Sequence, residues 1–246
     1  MIISIILPYF KDSNNIQHSV KSVLKQSFKK WELIIVDDEN SLSSKDILKN
    51  IKKKNNKIKI FSTNKNKGVA EARNLGISKA KGSYVAFLDS DDVWMIHKLK
   101  YQYDSFVKKD IDICYTDYLA FKEKSFLYKV NSPEKLNYYE LLKSCPICCS
   151  SVLIKRIILK NNKFRNIKTK EDYELWLRLS KKKYVFFGIN KYLTMYRVRS
   201  NSLSSKHFNK IFNAFIIFKK YNRFNLLLSI IYTARLYANA FIKKFI

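Results

Sequence analysis

The chain has 246 residues, of which 47% are hydrophobic and 28% charged, enough for one sizeable core and unlike a disordered composition. Its 48 Lys and Arg against 20 Asp and Glu give a net charge of +28, a field that attracts nucleic acid, an acidic membrane face or a phosphorylated substrate. The four glycines, Gly68, Gly76, Gly82 and Gly188, cannot spell G-x-G-x-x-G or a P-loop, so glycine-cradle nucleotide binding is excluded. His18, His97 and His207 are too scattered for a histidine-rich zinc site. Cys114, Cys145, Cys148 and Cys149 are too few and too bunched for a disulfide scaffold, and they read as buried free thiols. The N-terminus has no basic leader, and no apolar run approaches about 18 residues, so a cytoplasmic protein without a spanning helix is expected.

Residues 2–7 read as a buried strand. Ile16, Val20, Val23 and Leu24 then recur at helical spacing, predicting an amphipathic helix capped near Ser13. Leu33-Ile34-Ile35-Val36 is a second strand that ends in Asp37-Asp38. A polar helix over about 43–54 leads to a strand at 58–61, a helix at 69–80 and a strand at 84–88, which runs into Asp89-Ser90-Asp91-Asp92. This alternation predicts an α/β fold with a doubly wound, mainly parallel sheet flanked by helices. Ligands of such sheets sit beyond the carboxyl ends of the strands, which here carry Pro8, Asp37, Asp38, Asp89, Asp91 and Asp92. Further on, strands are expected at 111–118, 121–130 and 150–154, helices at 138–143 and 171–183, and a strand pair over 184–198. From residue 207 two amphipathic helices follow, with seven Lys or Arg and no acid. They either pack on the domain or lie on an anionic membrane.

Asp89, Ser90 and Asp91 follow a buried strand at once, so the carboxylates stand at the rim of the sheet. Carboxylates this close repel one another unless a cation sits between them, and hard oxygen ligands suit Mg2+ or Mn2+. The alternative is that Asp89 or Asp92 caps a helix starting near Trp94. On the helix at 171, Asp172 shares a face with Leu175, Trp176 and Leu179, one acid on an otherwise apolar inward side. It is either an N-cap or a functional acid, whereas Glu174 pairs with Arg178 at i+4 on the opposite side.

The ordered series runs from Ser4-Ile5-Ile6-Leu7-Pro8-Tyr9-Phe10 through Ser22-Val23-Leu24-Lys25-Gln26-Ser27-Phe28 to Glu32-Leu33-Ile34-Ile35-Val36-Asp37-Asp38. Asn66-Lys67-Gly68-Val69-Ala70-Glu71-Ala72-Arg73-Asn74, Ala86-Phe87-Leu88-Asp89-Ser90-Asp91-Asp92 and Glu171-Asp172-Tyr173-Glu174-Leu175-Trp176-Leu177-Arg178 complete it. It resembles the family 2 inverting glycosyltransferases of the GT-A fold. The resemblance covers residues 1–205 as the transferase domain and leaves 206–246 as a basic amphipathic helical tail.

The resemblance implies a nucleotide-sugar donor, a UDP-sugar, and a glycan or lipid-linked acceptor. Pro8 and Phe10 would border the base pocket, although the family usually has Tyr-Asn where this chain has Phe10-Lys11. Asp38 would accept a hydrogen bond from the base, or else cap the helix after residue 43. Arg73 would reach the nucleotide, where an exposed ion pair is the plainer role. Asp89 and Ser90 would contact the nucleotide sugar, Asp91 with Asp89 would hold Mn2+ or Mg2+, and Asp172 would be the general base with Glu171 as fallback. The stretch 145–151 would line the acceptor side. Many relatives have His where Arg199 stands; an arginine is no metal ligand, so a contact to the diphosphate or an acidic acceptor is implied. The family and the tail together point to lipopolysaccharide, capsule or O-antigen synthesis at the inner membrane face, with the tail on the anionic surface and no nucleic-acid partner. A nucleic-acid-binding module would suit the charge and the 15% aromatic content but leaves the strand-end acids unexplained. An inactive scaffold is opposed by the intact Asp91 and Asp172.

Overall fold

The structure is a computed structural model that describes residues 2–64, 66–123, 125–199 and 207–242. The expected alternation of elements is present: β1 (Ile3–Tyr9), α1 (Ile16–Leu24), β2 (Trp31–Asp37), α2 (Leu42–Lys52), β3 (Ile58–Ser62), α3 (Val69–Lys79) and β4 (Tyr84–Phe87). These four strands lie parallel in the order β3-β2-β1-β4. Side chains alternate between the two faces of β1 and β2. Ile3, Ile5, Leu7, Leu33 and Ile35 join a core beneath α1 and α2, while Ile6, Ile34 and Val36 join one beneath α3. Burial on both faces is why these strands read as continuous apolar runs.

The sheet continues as a mixed one. It adds β5 (Val93–Trp94), β6 (Ile113–Lys122), β7 (Ser125–Val130), β8 (Leu153–Lys155) and β9 (Phe186–Arg197), ordered β4-β8-β6-β9-β5 with β7 on β6. β8 runs antiparallel between β4 and β6, which carries the sheet across to the second half. The helices are α4 (Lys98–Lys108), α5 (Tyr138–Lys143), α6 (Arg156–Lys160) and α7 (Glu171–Lys181).

Four expectations need correction. The strand pair over 184–198 is a single strand, β9, which runs beside β6 and absorbs two register shifts near Thr116–Tyr118 rather than turning back. The stretch 150–154 is a 3-10 turn over Cys149–Ser151 before the short β8. α1 starts at Ile16 with Asn15 as its N-cap and no side-chain cap from Ser13; the backbone carbonyl of Asp12 takes the first amides instead. Trp94 lies in β5 and the helix beyond starts at Lys98, so neither Asp89 nor Asp92 caps it.

The tail forms α8 (His207–Ile216), a π turn over Ile217–Tyr221 and α9 (Leu226–Ile242). Ala214, Ile217, Phe218 and Leu236 join the larger core cluster, with Phe218 edge-on to Tyr173 of α7 at 6.2 Å. Among the described residues no helix is long and apolar enough to cross a membrane.

Candidate active site

The carboxyl ends of β1, β2 and β4 face one crevice. At the end of β1, Pro8 is in register with Val36, and Phe10 beyond it is 40% exposed with the Lys11 ammonium 5.4 Å from its ring centre. Asp37 and Asp38, at the end of β2, are both buried and do different work. Asp37 accepts from the amides of Glu39 and Asn40 and from the Ser44 hydroxyl. Asp38 accepts from Thr63 Oγ1 at 2.7 Å and from the amides of Lys67 and Gly68 at 2.9 Å. Gly68 has φ +88, a conformation that aims these amides at Asp38 and suits glycine. Asp38 therefore fixes the loop leading into α3, and three of about four lone-pair positions are filled. It does not cap α2, whose cap is Ser41.

Arg73 of α3 is the first hub. Its side chain is only 3% exposed, and it reaches Glu171 Oε1 at 2.5 Å and Asp89 Oδ1 at 2.6 Å. The plain role of an exposed ion pair is thereby excluded. This guanidinium ties the end of β4 to the start of α7, residues 98 apart on the Glu171 side. The Phe164 ring lies 5.3 Å from the Arg73 guanidinium carbon. Asp172, next to Glu171, is half-buried and accepts from the Tyr173 amide at 2.8 Å. The N-cap of α7 is Lys170, in the left-handed conformation with φ 66, so Asp172 is not the cap. Glu174 does pair with Arg178 but is buried, with Arg165 as a second partner at 3.3 Å.

Arg199 is the second hub. It pairs with Asp91 Oδ2 at 2.6 Å and with Asp12, and Asp12 also accepts from the Ser90 hydroxyl at 2.7 Å. Asp12 is buried and has no counterpart among the sequence-predicted site residues, because its partner lies 187 residues away. Asp92 is fully buried and accepts the Arg197 amide at 2.8 Å, locking the end of β9 beneath the site. Ser150 completes the floor: its hydroxyl accepts the Asp89 amide and its carbonyl accepts from Trp94 Nε1. The residues of the closing segment after Arg199, from 200 to 204, lie outside the described residues.

The acids feel one another. Burial, helped by the charge of Asp89, pushes Asp91 up to about 6 despite Arg199. Burial pushes Glu171 up to about 7, with Asp172 adding to the rise and Arg73 opposing it. Burial also raises Asp172, while Arg73 and the Tyr173 amide hold it down. Among the described residues no group of three or more His, Cys, Asp or Glu is arranged to hold a metal ion. The cysteines are free, as expected, with Cys145 half-buried and the rest buried.

The family described as Glycosyl transferase family 2 matches residues 4–171. A putative teichuronic acid biosynthesis glycosyltransferase, TuaG of Bacillus subtilis (strain 168), is 35% identical over 224 residues, covering 90% of this chain and 89% of the relative. The UDP-Glc:alpha-D-GlcNAc-diphosphoundecaprenol beta-1,3-glucosyltransferase WfgD of Escherichia coli is 34% identical over 211 residues, covering 85% of this chain and 82% of the relative. Among solved structures, S. aureus TarS 1-349 in complex with UDP-GlcNAc matches with a TM-score of 0.70 at 18% identity, over 89% of this chain and 67% of that one. The chain spans 39% of the longer TarS chain. The mannosyltransferase PcManGT of Pyrobaculum calidifontis, in complex with GDP-Man and Mn2+, matches with a TM-score of 0.72 at 14% identity, over 95% and 68%. At such low identity the structural matches show the GT-A-type fold alone. On the sequence matches, the chain belongs to glycosyl transferase family 2.

Proposed function

We propose that the protein transfers a sugar from a UDP-sugar to a hydroxyl of a lipid-linked glycan precursor in cell-surface polysaccharide synthesis, with inversion at the anomeric carbon. The observation that carries this reading is the Arg73 bridge, which sets Asp89 at the end of β4 beside Glu171 at the start of α7. Two carboxylates are thereby fixed, and among the described residues Asp172 is left with no arginine in hydrogen-bond contact.

Asp172 serves as the base. It takes the proton of the acceptor hydroxyl as the oxygen bonds to C1 of the sugar, the bond from C1 to the diphosphate oxygen breaks, and UDP leaves from the opposite face. A single displacement converts an α-linked donor to a β-linked product. A carboxylate raised by burial is a stronger base than an exposed one, which suits this step. Glu171, held by Arg73, orients the helix start rather than removing the proton. Phe10, Pro8 and Asp38 border the base, with Asp38 acting mainly through the loop it holds.

Asp91 and Asp89 suit Mn2+ or Mg2+ bound through one or two carboxylates, with substrate phosphates and water completing the shell. The raised Asp91 supports this, since its charge is only partly met by Arg199. Such an ion would supply positive charge for the leaving diphosphate. Arg199 stands at the same carboxylate and would contribute its guanidinium there. Residues 1–205 then form the catalytic unit, and the basic appendage 206–246 keeps the enzyme on the anionic inner membrane face; the name of WfgD carries a diphosphoundecaprenol acceptor, which fits such a placement.

Asp172→Asn tests the assignment. Transfer should fall by about 10²–10⁴-fold, the usual contribution of a positioned base, while calorimetric UDP binding stays intact. Retained turnover would sink the role of Asp172.

A further inference from the structure

A groove between the two tail helices is unused by the chemistry above. It has a volume of about 380 Å³ and is lined by Phe212 and Phe215 of α8 and by Ile230, Ala234 and Tyr237 of α9. Phe212 and Ile230 are 56% and 51% exposed, and no acid follows Glu174 in the sequence. An apolar trough on a basic appendage is costly to leave in water unless something apolar and anionic occupies it.

The groove lining touches the segment that precedes α7. Tyr237, one of the lining residues, has its ring centre 5.1 Å from the Lys170 ammonium, and its hydroxyl is buried with no hydrogen-bond partner among the described residues. Lys170 directly precedes Glu171 and Asp172. It forms no ion pair among the described residues, whereas Arg73 and Arg199 are each matched to two carboxylates. Asn213 of α8 donates to Thr169 Oγ1 at 2.9 Å, which pins the groove wall to this segment.

We propose that this groove seats the isoprenoid chain of a lipid diphosphate acceptor and that Lys170 receives its diphosphate. The order along the molecule is chain in the groove, diphosphate at Lys170 and acceptor hydroxyl at Asp172. This rests on the transferase reading and adds the part of the acceptor that the protein grips. An ammonium on a flexible stem suits a phosphate as a point charge, and the aromatic walls suit a branched hydrocarbon.

The test is calorimetric titration of farnesyl diphosphate into the full chain with UDP present, with inorganic diphosphate as the headgroup alone. Farnesyl diphosphate should bind at least about ten-fold more tightly, a gain that burial of two methylene-sized groups supplies. Phe212→Asp should reduce it to the level of inorganic diphosphate, and Ile230→Asp serves the same purpose should the first variant not fold. Lys170→Gln should weaken both ligands. Equal affinity of the two ligands for the unaltered protein, or unaltered farnesyl diphosphate binding by Phe212→Asp, overturns the proposal. UDP binding in the same samples reads the donor site separately. UDP bound without chain selectivity removes the groove and leaves the transferase reading, whereas chain selectivity without UDP binding does the reverse.

Discussion

Arg73 and Arg199 both neutralise acids at the rim of the sheet, yet they are built differently. Arg73 projects from a helix packed into the core, is 3% exposed and joins Asp89 to Glu171. Arg199 follows the end of β9, is 32% exposed and joins Asp91 to Asp12. The buried arginine is bound to the architecture, because removing it would leave the buried Glu171 carboxyl without its partner. The half-exposed one is freer to turn away from Asp91, which suits the proposed diphosphate and cation site. One cluster holds the frame, and the other is where the ligand is proposed to bind.

That contrast can be broken first at Arg73. Arg73→Met should cost about 3–5 kcal/mol of stability in a denaturant titration, the loss typical of a buried pair deprived of one partner. A loss below 1 kcal/mol, on the order of a surface pair, would show that Arg73 is not structural.

A pH series gives a middle-sized effect. Glu171 holds its proton up to about 7 in the folded protein and releases it nearer 4.5 when unfolded; for Asp91 the two values are about 6 and 3.8. Between these values the folded state binds more protons, so stability should fall as pH rises from about 4 to 7, by at most about 1.4 kcal/mol per group per pH unit. The contribution is fully present below the unfolded values and lost above the folded ones. Thermal midpoints that rise across this window would mean that the two arginines overcompensate the acids.

Arg199→Met gives the smallest structural effect and sharpens the contrast. Stability should fall by about 1–3 kcal/mol, less than for Arg73→Met because the buried Asp12 keeps the Ser90 hydroxyl and the Asn15 side-chain amide, while UDP affinity falls about ten-fold through loss of one charge-assisted contact. A loss as large as that of Arg73→Met would erase the distinction between the two clusters.

The parallel half of the sheet was legible in the sequence because β1, β2 and β4 are apolar runs buried on both faces, and β2 and β4 lead into acids. The position of Asp172, one acid on the Leu175, Trp176 and Leu179 face at the start of α7, was legible too, its role in transfer being the proposal that Asp172→Asn tests. Asp12 was not, since nothing local marks a loop aspartate whose partner is an arginine near the far end of β9. The loop-holding role of Asp38 was equally hidden, because it depends on backbone amides at Lys67 and Gly68 that have no side-chain signature. The continuous β9 escaped because alternation cannot distinguish one long bulged strand from a hairpin without a clear turn residue.

The most direct measurement is calorimetric titration of UDP with and without Mn2+, on the unaltered protein and on Asp91→Asn. Mn2+ should strengthen UDP binding, and the substitution should reduce it to the metal-free level. Absence of UDP binding under both conditions, or binding indifferent to Mn2+ and to Asp91, would contradict the proposed donor site.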